Sequence, residues 1–152
     1  MASVTTPQDA PGLALRGGFA VIINRVWSMP NRWTFTIPPI AELVARYVGN
    51  GQGWVDPFAG MYSPAEIRND LNPEANAQYH MDALDFLKQL GGQHKGIIFD
   101  PPYSYQQMKE CYEAVGTGKI TSRHATNFYG DLREQIADMV IPGGYAISCG
   151  WN

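Results

Sequence analysis

The sequence has few cysteines, few histidines and no long apolar run, and each of these absences excludes a class of protein. Its two cysteines, Cys111 and Cys149, stand outside any Cys-x-x-Cys spacing, which argues against a disulfide framework and against a zinc site. The three histidines show no metal-ligand spacing, so we predict no metal. No stretch is apolar enough to span a membrane, and no basic segment precedes the apolar residues near the start. These absences favour a reduced, cytoplasmic protein without a membrane partner.

Charge is also scarce, and its balance is slightly acidic. Charged residues make up 16% of the chain and hydrophobic residues 45%, which is typical of a folded globular protein. The 11 Lys and Arg against 14 Asp and Glu give a net charge of −3, without the basic surface that marks general nucleic-acid binding. Contact with a nucleic acid would therefore be local, or the basic surface would come from another subunit.

The length of 152 residues suits one hydrophobic core. We predict a flexible leader over residues 1–18 and a single domain over residues 19–152. Helical spacing of apolar residues, with capping residues at the ends, predicts helices at 38–48, 72–78, 82–90, 104–115 and 131–140, and a loop at 116–130. Short apolar runs predict strands in GWVDP, AEIRND, QYHMD, GIIFD and YAISCGW. Alternating strands and helices indicate an α/β domain with a doubly wound, mostly parallel sheet and helices on both faces.

Four of the predicted strands end in an aspartate: Asp56, Asp70, Asp82 and Asp100. The carboxyl ends of parallel strands meet at one edge of the sheet, where open α/β sheets bind ligands, so we expect these acids to lie near each other. Carboxylates accept hydrogen bonds from ribose hydroxyls and exocyclic amines. One such acid would be no more than a helix cap, but four in sequence order indicate a nucleoside ligand.

In the run GIIFDPPYSY, two consecutive prolines follow a predicted strand. Pro101 and Pro102 donate no backbone N–H and cannot continue a sheet, so they end the strand that begins at Gly96. The ending delivers Asp100 and Tyr103 to the carboxyl edge of the sheet.

The segment Asp-Pro-Pro-Tyr resembles the catalytic motif of the amino-methyltransferases, especially those that methylate adenine N6 in DNA with S-adenosyl-L-methionine. DPFAG resembles the cofactor loop of that family, NDLNP its ribose-binding turn, FTIPPIAELVARY its methionine-binding segment and IPGGY the turn before its fifth strand. The matches run from about residue 35 to residue 152. The resemblance implies a minimal or truncated class I methyltransferase domain, Rossmann-like in fold and of phage or bacterial type.

The resemblance also implies a set of site residues. The implied catalytic residues are Asp100, Pro101, Pro102 and Tyr103. The implied cofactor-binding residues are Phe35, Thr36, Asp56, Pro57, Phe58, Ala59, Gly60, Asp70 and Asp82, the last near the adenine of the cofactor.

The chemistry of adenine methylation explains these residue types. The lone pair of the amino group is delocalised into the ring, so the nitrogen is a poor nucleophile toward a sulfonium methyl. Hydrogen bonds from its hydrogens to the Asp100 carboxylate and the Pro101 carbonyl would make it more nucleophilic, and the prolines hold that carbonyl in one direction. Tyr103 would stack on a base swung out of the duplex, a contact worth about 1–3 kcal/mol.

The sequence departs from the family pattern in two places. Met61 and Tyr62 follow Gly60 where a second glycine is common, and Phe58–Pro64 is too short for a crossover helix. The chain also ends without a sixth and seventh strand and without a target-recognition region. We expect the last strand to be covered by residues 19–23, by a second copy, by a separate recognition subunit, or by further chain of a longer protein.

Two alternatives stay open. The same motif serves any planar amine, so the substrate is adenine N6 in DNA, cytosine N4, or an amine of RNA or protein. A binding module that keeps the sheet and has lost turnover is an alternative of another class.

Overall fold

The computed structural model describes residues 13–14, 20–21, 26, 34–116 and 122–149, with the backbone alone at 13–14, 20–21 and 122–125. The helices are α1 (Pro38–Tyr47), α2 (Ala83–Leu90), α3 (Tyr105–Ala114) and α4 (Ser122–Met139), and a 3₁₀ turn at Thr34–Thr36 precedes α1. The strands are β1 (Leu13–Ala14), β2 (Ala20–Val21), β3 (Trp54–Asp56), β4 (Ile67–Arg68), β5 (His94–Phe99) and β6 (Val140–Ser148).

Four strands form one sheet in the order β4-β3-β5-β6, and every pairing in it is parallel. The chain passes outward from β3 to β4, returns through α2 to β5 on the other side of β3, and continues to β6. The two central strands β3 and β5 therefore lead the chain in opposite directions, which is the switch point where open α/β sheets bind ligands. The predicted α/β class with a parallel sheet is confirmed.

Helices pack on both faces of this sheet, as predicted. Successive strand residues point to opposite faces, so Val55 and Ile97 join one core cluster while Trp54 and Ile98 join the other. The first cluster includes residues of α2 and α4, and the second includes residues of α1. The sheet is thus buried from both sides.

Local signals account for the first three helices. Pro38 stands in the first turn of α1, where its missing N–H costs no helical hydrogen bond. The Asp82 carboxylate caps α2 and Gly91 ends it with a positive φ of 53°. The Ser104 hydroxyl accepts the N–H of Gln107 and caps α3. Each helix follows the prediction to within a residue or two.

The connection from β3 to β4 contains no helix. Residues 57–66 pass through turns instead, in keeping with the expectation that this segment is too short for a helical crossover. Directly after β4, Asn69 makes an isolated parallel bridge to Tyr79. That single bridge is all that the structure has of the strand predicted in QYHMD.

Three sequence predictions are wrong. Residues 72–78 are turns and not a helix, because the N–H of Asn76 binds the Gly60 carbonyl at 3.0 Å and the N–H of Gln78 binds the Arg68 carbonyl at 3.1 Å. The loop predicted at 116–130 is helical from Ser122, where α4 begins. The last strand begins at Val140 and includes the predicted IPGG turn, which forms an irregularity between the His94–Val140 and Gly96–Tyr145 pairs.

Residues 20–21 do not pair with the last strand, although residues 19–23 were one of the segments expected to cover it. The residues Ala20–Val21 pair antiparallel with Leu13–Ala14 and not with β6. In the sheet as described, β6 is one of the two edge strands, with β4 at the other edge. Most of the leader predicted over residues 1–18 lies outside the described residues. No helix in the described part of the chain is long and apolar enough to cross a membrane.

Candidate functional site

The loop that follows β3 is organised by the buried side chain of Asp56. Its carboxylate accepts the N–H of Phe58 at 2.9 Å and the hydroxyl of Ser63 at 2.6 Å, so both oxygens point into the loop. Burial raises the pKa of Asp56 to about 7, against the lowering effect of these hydrogen bonds, and nearby Asp100 and Asp70 raise it further. The Asp56 carboxylate therefore holds the loop after β3 in its conformation through two hydrogen bonds.

Gly60 stands at the tip of this loop with a positive φ of 56°, a conformation that favours glycine. Its N–H donates to one carboxylate oxygen of Asp70 at 2.8 Å, and the other oxygen of Asp70 accepts the N–H of Asn72 at 2.8 Å. Asp70 thus ties the loop after β3 to the turn after β4.

Asn69 is a structural residue that the sequence reasoning missed. Its fully buried side chain donates to the carbonyls of Pro57 at 3.1 Å and Met81 at 3.0 Å, and accepts the N–H of Met81 at 3.1 Å. It therefore joins the loop after β3 to the segment before α2. Its place beside Asp70 in NDLNP was the only available signal.

The turn after β5 brings Asp100 and Tyr103 together, as the sequence predicted. The Tyr103 hydroxyl donates to the Asp100 carboxylate, and the Thr34 side chain also hydrogen-bonds to it. Burial raises the pKa of Asp100, and these two hydrogen bonds oppose that shift. Burial also raises the pKa of Tyr103, as does its hydrogen bond to Asp100. Tyr103 therefore stays protonated and remains a donor at neutral pH.

A first cavity of about 140 Å³ opens beside this turn, and we call it the edge cavity. It lies at the carboxyl edge between the loop after β3, the 3₁₀ turn before α1 and the Asp100 side chain. Its lining residues are Thr34, Phe35, Phe58, Ala59, Gly60, Met61, Tyr62 and Asp100. The edge cavity thus lies at the switch point of the sheet.

A second cavity of about 360 Å³ lies among three helices, and we call it the helix cavity. Its lining residues are Asp82, Leu84, Met108, Tyr112, Asn127, Phe128 and Asp131. The Asp82 carboxylate caps α2 with one oxygen, which accepts the N–H groups of Leu84 at 2.9 Å and Asp85 at 3.2 Å. Its other oxygen accepts the hydroxyl of Tyr112 on α3. The helix cavity shares no lining residue with the edge cavity.

The predicted site residues therefore fall into three groups. Five line the edge cavity: Phe35, Phe58, Ala59, Gly60 and Asp100. Asp82 lines the helix cavity. Those that line neither cavity are Thr36, Asp56, Pro57, Asp70, Pro101, Pro102 and Tyr103, of which Asp56, Asp70 and Tyr103 hydrogen-bond to cavity-lining residues.

Sequence reasoning missed several residues that complete the two cavities. Met61 and Tyr62 line the edge cavity and are 48% and 57% exposed, in the places where the family pattern led us to expect a second glycine. Thr34 reaches Asp100 from the turn before α1. Tyr112 had no sequence signal, because its partner Asp82 lies 30 residues away.

In the described part of the chain, no group of three or more His, Cys, Asp or Glu side chains is placed to hold a metal ion.

No family model matches the sequence, and no curated protein and no solved structure matches it significantly.

Proposed function

We propose that this protein transfers a methyl group from S-adenosyl-L-methionine to the N6 amino group of adenine in DNA. The observation that carries the proposal is the position of Asp100: its carboxylate lines the edge cavity at the switch point, beside the Phe58–Gly60 loop. Two prolines follow it, so an acceptor pair of carboxylate and carbonyl stands at the end of a buried strand. This arrangement suits a ligand that presents two amino hydrogens.

The cavities suit the cofactor in their chemistry. No lysine or arginine is among the described residues that line either one, which disfavours phosphate-bearing ligands and suits a sulfonium and an amine. Phe35 and the Phe58–Gly60 loop would hold the methionine end in the edge cavity. The apolar wall of the helix cavity, which Asp82 also lines, would hold the adenine end. When bound, the cofactor supplies an electrophilic methyl group on sulfur.

Asp100 would accept a hydrogen bond from the substrate amine, which requires its ionised form. Burial raises the pKa of Asp100, so the acceptor form is lost as pH falls through that raised pKa. We therefore expect the methylation rate to rise with pH across this titration. The hydroxyl of Tyr103 would leave Asp100, or share it, when the amine binds.

A binding module without turnover is the second candidate, and two observations favour it. Tyr103 already donates to one of the two oxygens of the Asp100 carboxylate. Met61 and Tyr62 line the edge cavity in the place where the family pattern commonly has a second glycine. Such a module would bind the cofactor and leave every nucleic acid unmodified.

The test combines calorimetry with mass spectrometry. Binding of S-adenosyl-L-methionine is measured by calorimetry, and methylated nucleosides are quantified after incubation with DNA. We expect N6-methyladenine from the wild type, a loss of about 100-fold or more in Asp100→Ala, and no change in the matched control Asp138→Ala, whose side chain is exposed on α4. Methylated cytosine, RNA or protein would identify the other amine substrates. Cofactor binding with no methylated product would establish the module instead.

A further inference from the structure

The turn after β5 has an unusual shortage of backbone donors. Pro101 and Pro102 have no N–H, so two consecutive residues of the turn donate nothing to their surroundings. On the strand side, the N–H of Cys149 binds the Phe99 carbonyl at 3.0 Å. On the helix side, the N–H of Tyr103 binds the side-chain oxygen of Gln107 at 2.8 Å. Between these two anchors the direction of the chain depends on how the proline carbonyls are held.

One of these carbonyls is held from a distant helix. The hydroxyl of Tyr129, on α4, donates to the carbonyl oxygen of Pro102, 27 residues earlier in the chain. The Tyr129 ring packs against the core cluster and edge-on to Phe128, at 6.0 Å between ring centroids. Burial raises the pKa of Tyr129, so its hydroxyl keeps the proton that it donates.

This hydrogen bond acts on the one backbone angle of Pro102 that the proline ring leaves free. The ring fixes φ, whereas ψ orients the peptide unit formed by the Pro102 carbonyl and the Tyr103 N–H. Gln107 holds the N–H of this unit and Tyr129 holds its carbonyl, so Tyr129 helps to fix ψ and with it the position of Tyr103. Tyr103 in turn contacts Asp100, which lines the edge cavity.

We propose that Tyr129 is a positioning residue of the methyl-transfer site, which holds Tyr103 and Asp100 in place through the carbonyl of Pro102. This inference rests on the proposed function. Tyr129 lines neither cavity and touches no reacting atom, so its effect falls on the rate of the bound complex and not on cofactor affinity.

The test compares Tyr129→Phe with Tyr112→Phe. Both variants remove one tyrosine hydroxyl and keep the ring, but the hydroxyl of Tyr112 binds Asp82 in the helix cavity. A lost hydrogen bond is worth about 1 kcal/mol, or roughly a fivefold change. We expect Tyr129→Phe to lower kcat roughly fivefold with KM for S-adenosyl-L-methionine unchanged. Tyr112→Phe should raise that KM by a similar factor and leave kcat almost unchanged.

Amide hydrogen exchange at Tyr103, followed by NMR, provides a readout that does not depend on activity. Exchange at Tyr103 should become faster in Tyr129→Phe and stay as in the wild type in Tyr112→Phe. The inference is overturned if kcat and Tyr103 exchange are unchanged in Tyr129→Phe, or if kcat and KM shift alike in both variants, as a general loss of structure would cause. An inactive wild type refutes the proposed function, whereas an active wild type with an unaffected Tyr129→Phe refutes this inference alone.

Discussion

The two turns that follow the central strands β3 and β5 meet at the same edge of the sheet but are held in different ways. The turn after β3 is held by residues close to it in sequence: Asp56 binds Phe58 and Ser63, and Asp70 binds Gly60. The turn after β5 has local hydrogen bonds made by Tyr103, but it is also held from afar, by Thr34, Tyr129 and the backbone of Cys149. The first turn is thus built largely from its own sequence, while the second depends on tertiary structure.

The difference also has an energetic side. The side chains of Asp56 and Ser63 in the first turn are buried, so their loss should lower the stability of the whole domain. Those of the second turn are partly exposed around Tyr103, and we expect their loss to alter the geometry of the site more than the free energy of unfolding. Four predictions test this contrast, in order of decreasing effect.

The largest effect concerns pH and the buried acid of the first turn. Burial raises the pKa of Asp56 from 3.8 to about 7, so between these values the folded protein holds a proton that the unfolded chain releases. The free energy of unfolding therefore falls as pH rises through this window, by about 1.4 kcal/mol for each pH unit. Asp56→Asn should remove most of this slope in urea titrations at several pH values, and Asp100→Asn should remove less. Equal slopes in the wild type and Asp56→Asn would contradict the burial argument.

The second prediction compares two asparagines. Asn69→Ala leaves the buried carbonyl of Pro57 and the half-buried backbone groups of Met81 without their side-chain partner, and we expect the free energy of unfolding to fall by about 3 kcal/mol. The matched control is Asn72→Ala, an exposed side chain with a 3.0 Å bond to the N–H of Glu74, which should cost less than about 1 kcal/mol. Urea unfolding measures both. A cost of the same size in Tyr129→Phe as in Asn69→Ala would erase the contrast between the two turns.

The third prediction uses two glycines with open space around them. At Gly60 an added Cβ meets no atom within 4 Å, so the cost of Gly60→Ala is that of the positive φ alone, about 1–2 kcal/mol. At Gly130, inside α4 and equally open, alanine should raise the stability by up to about 1 kcal/mol. The midpoint of thermal unfolding, followed by circular dichroism, should thus fall in Gly60→Ala and rise in Gly130→Ala. A stabilised Gly60→Ala would show that the loop conformation is not held as described.

The smallest effect is expected at the cap of α3, on the exposed side of the second turn. Ser104→Ala removes the 3.1 Å hydrogen bond to the N–H of Gln107 and should cost about 0.5–1 kcal/mol. Ser104→Asp keeps a capping oxygen and should restore the stability of the wild type. If Ser104→Ala costs as much as Asn69→Ala, the second turn is as important to the fold as the first.

Much of the fold could be predicted because its signals are local. Proline at the start of α1, the Asp82 and Ser104 caps and the apolar runs of β3 and β5 all act within a few residues. The helix predicted at 72–78 does not form, because the distant carbonyls of Gly60 and Arg68 accept hydrogen bonds from N–H groups that a helix would have used. The early part of α4 was missed because polar residues surround the few side chains that pack against the core, which include Phe128 and Tyr129.

The same division applies to the candidate site. The strand endings predicted that the four acids would meet at one edge of the sheet, since parallel strands end there. The structure places Asp100 and part of the DPFAG loop around the edge cavity, whereas Asp82 lines the helix cavity. Residues such as Thr34 and Tyr129 act through single hydrogen bonds across long sequence separations, for which a lone sequence contains no signal.

The sequence by itself determined where the central strands end, which acids follow them and which helices are capped, because proline, glycine and capping side chains act on their immediate neighbours. Only the tertiary structure decided that Asp100 and Asp82 line different cavities and that a tyrosine from α4 holds the Pro-Pro turn. The physical reason is that a hydrogen bond between distant residues depends on how the helices pack on the sheet, and that packing is a property of the whole core.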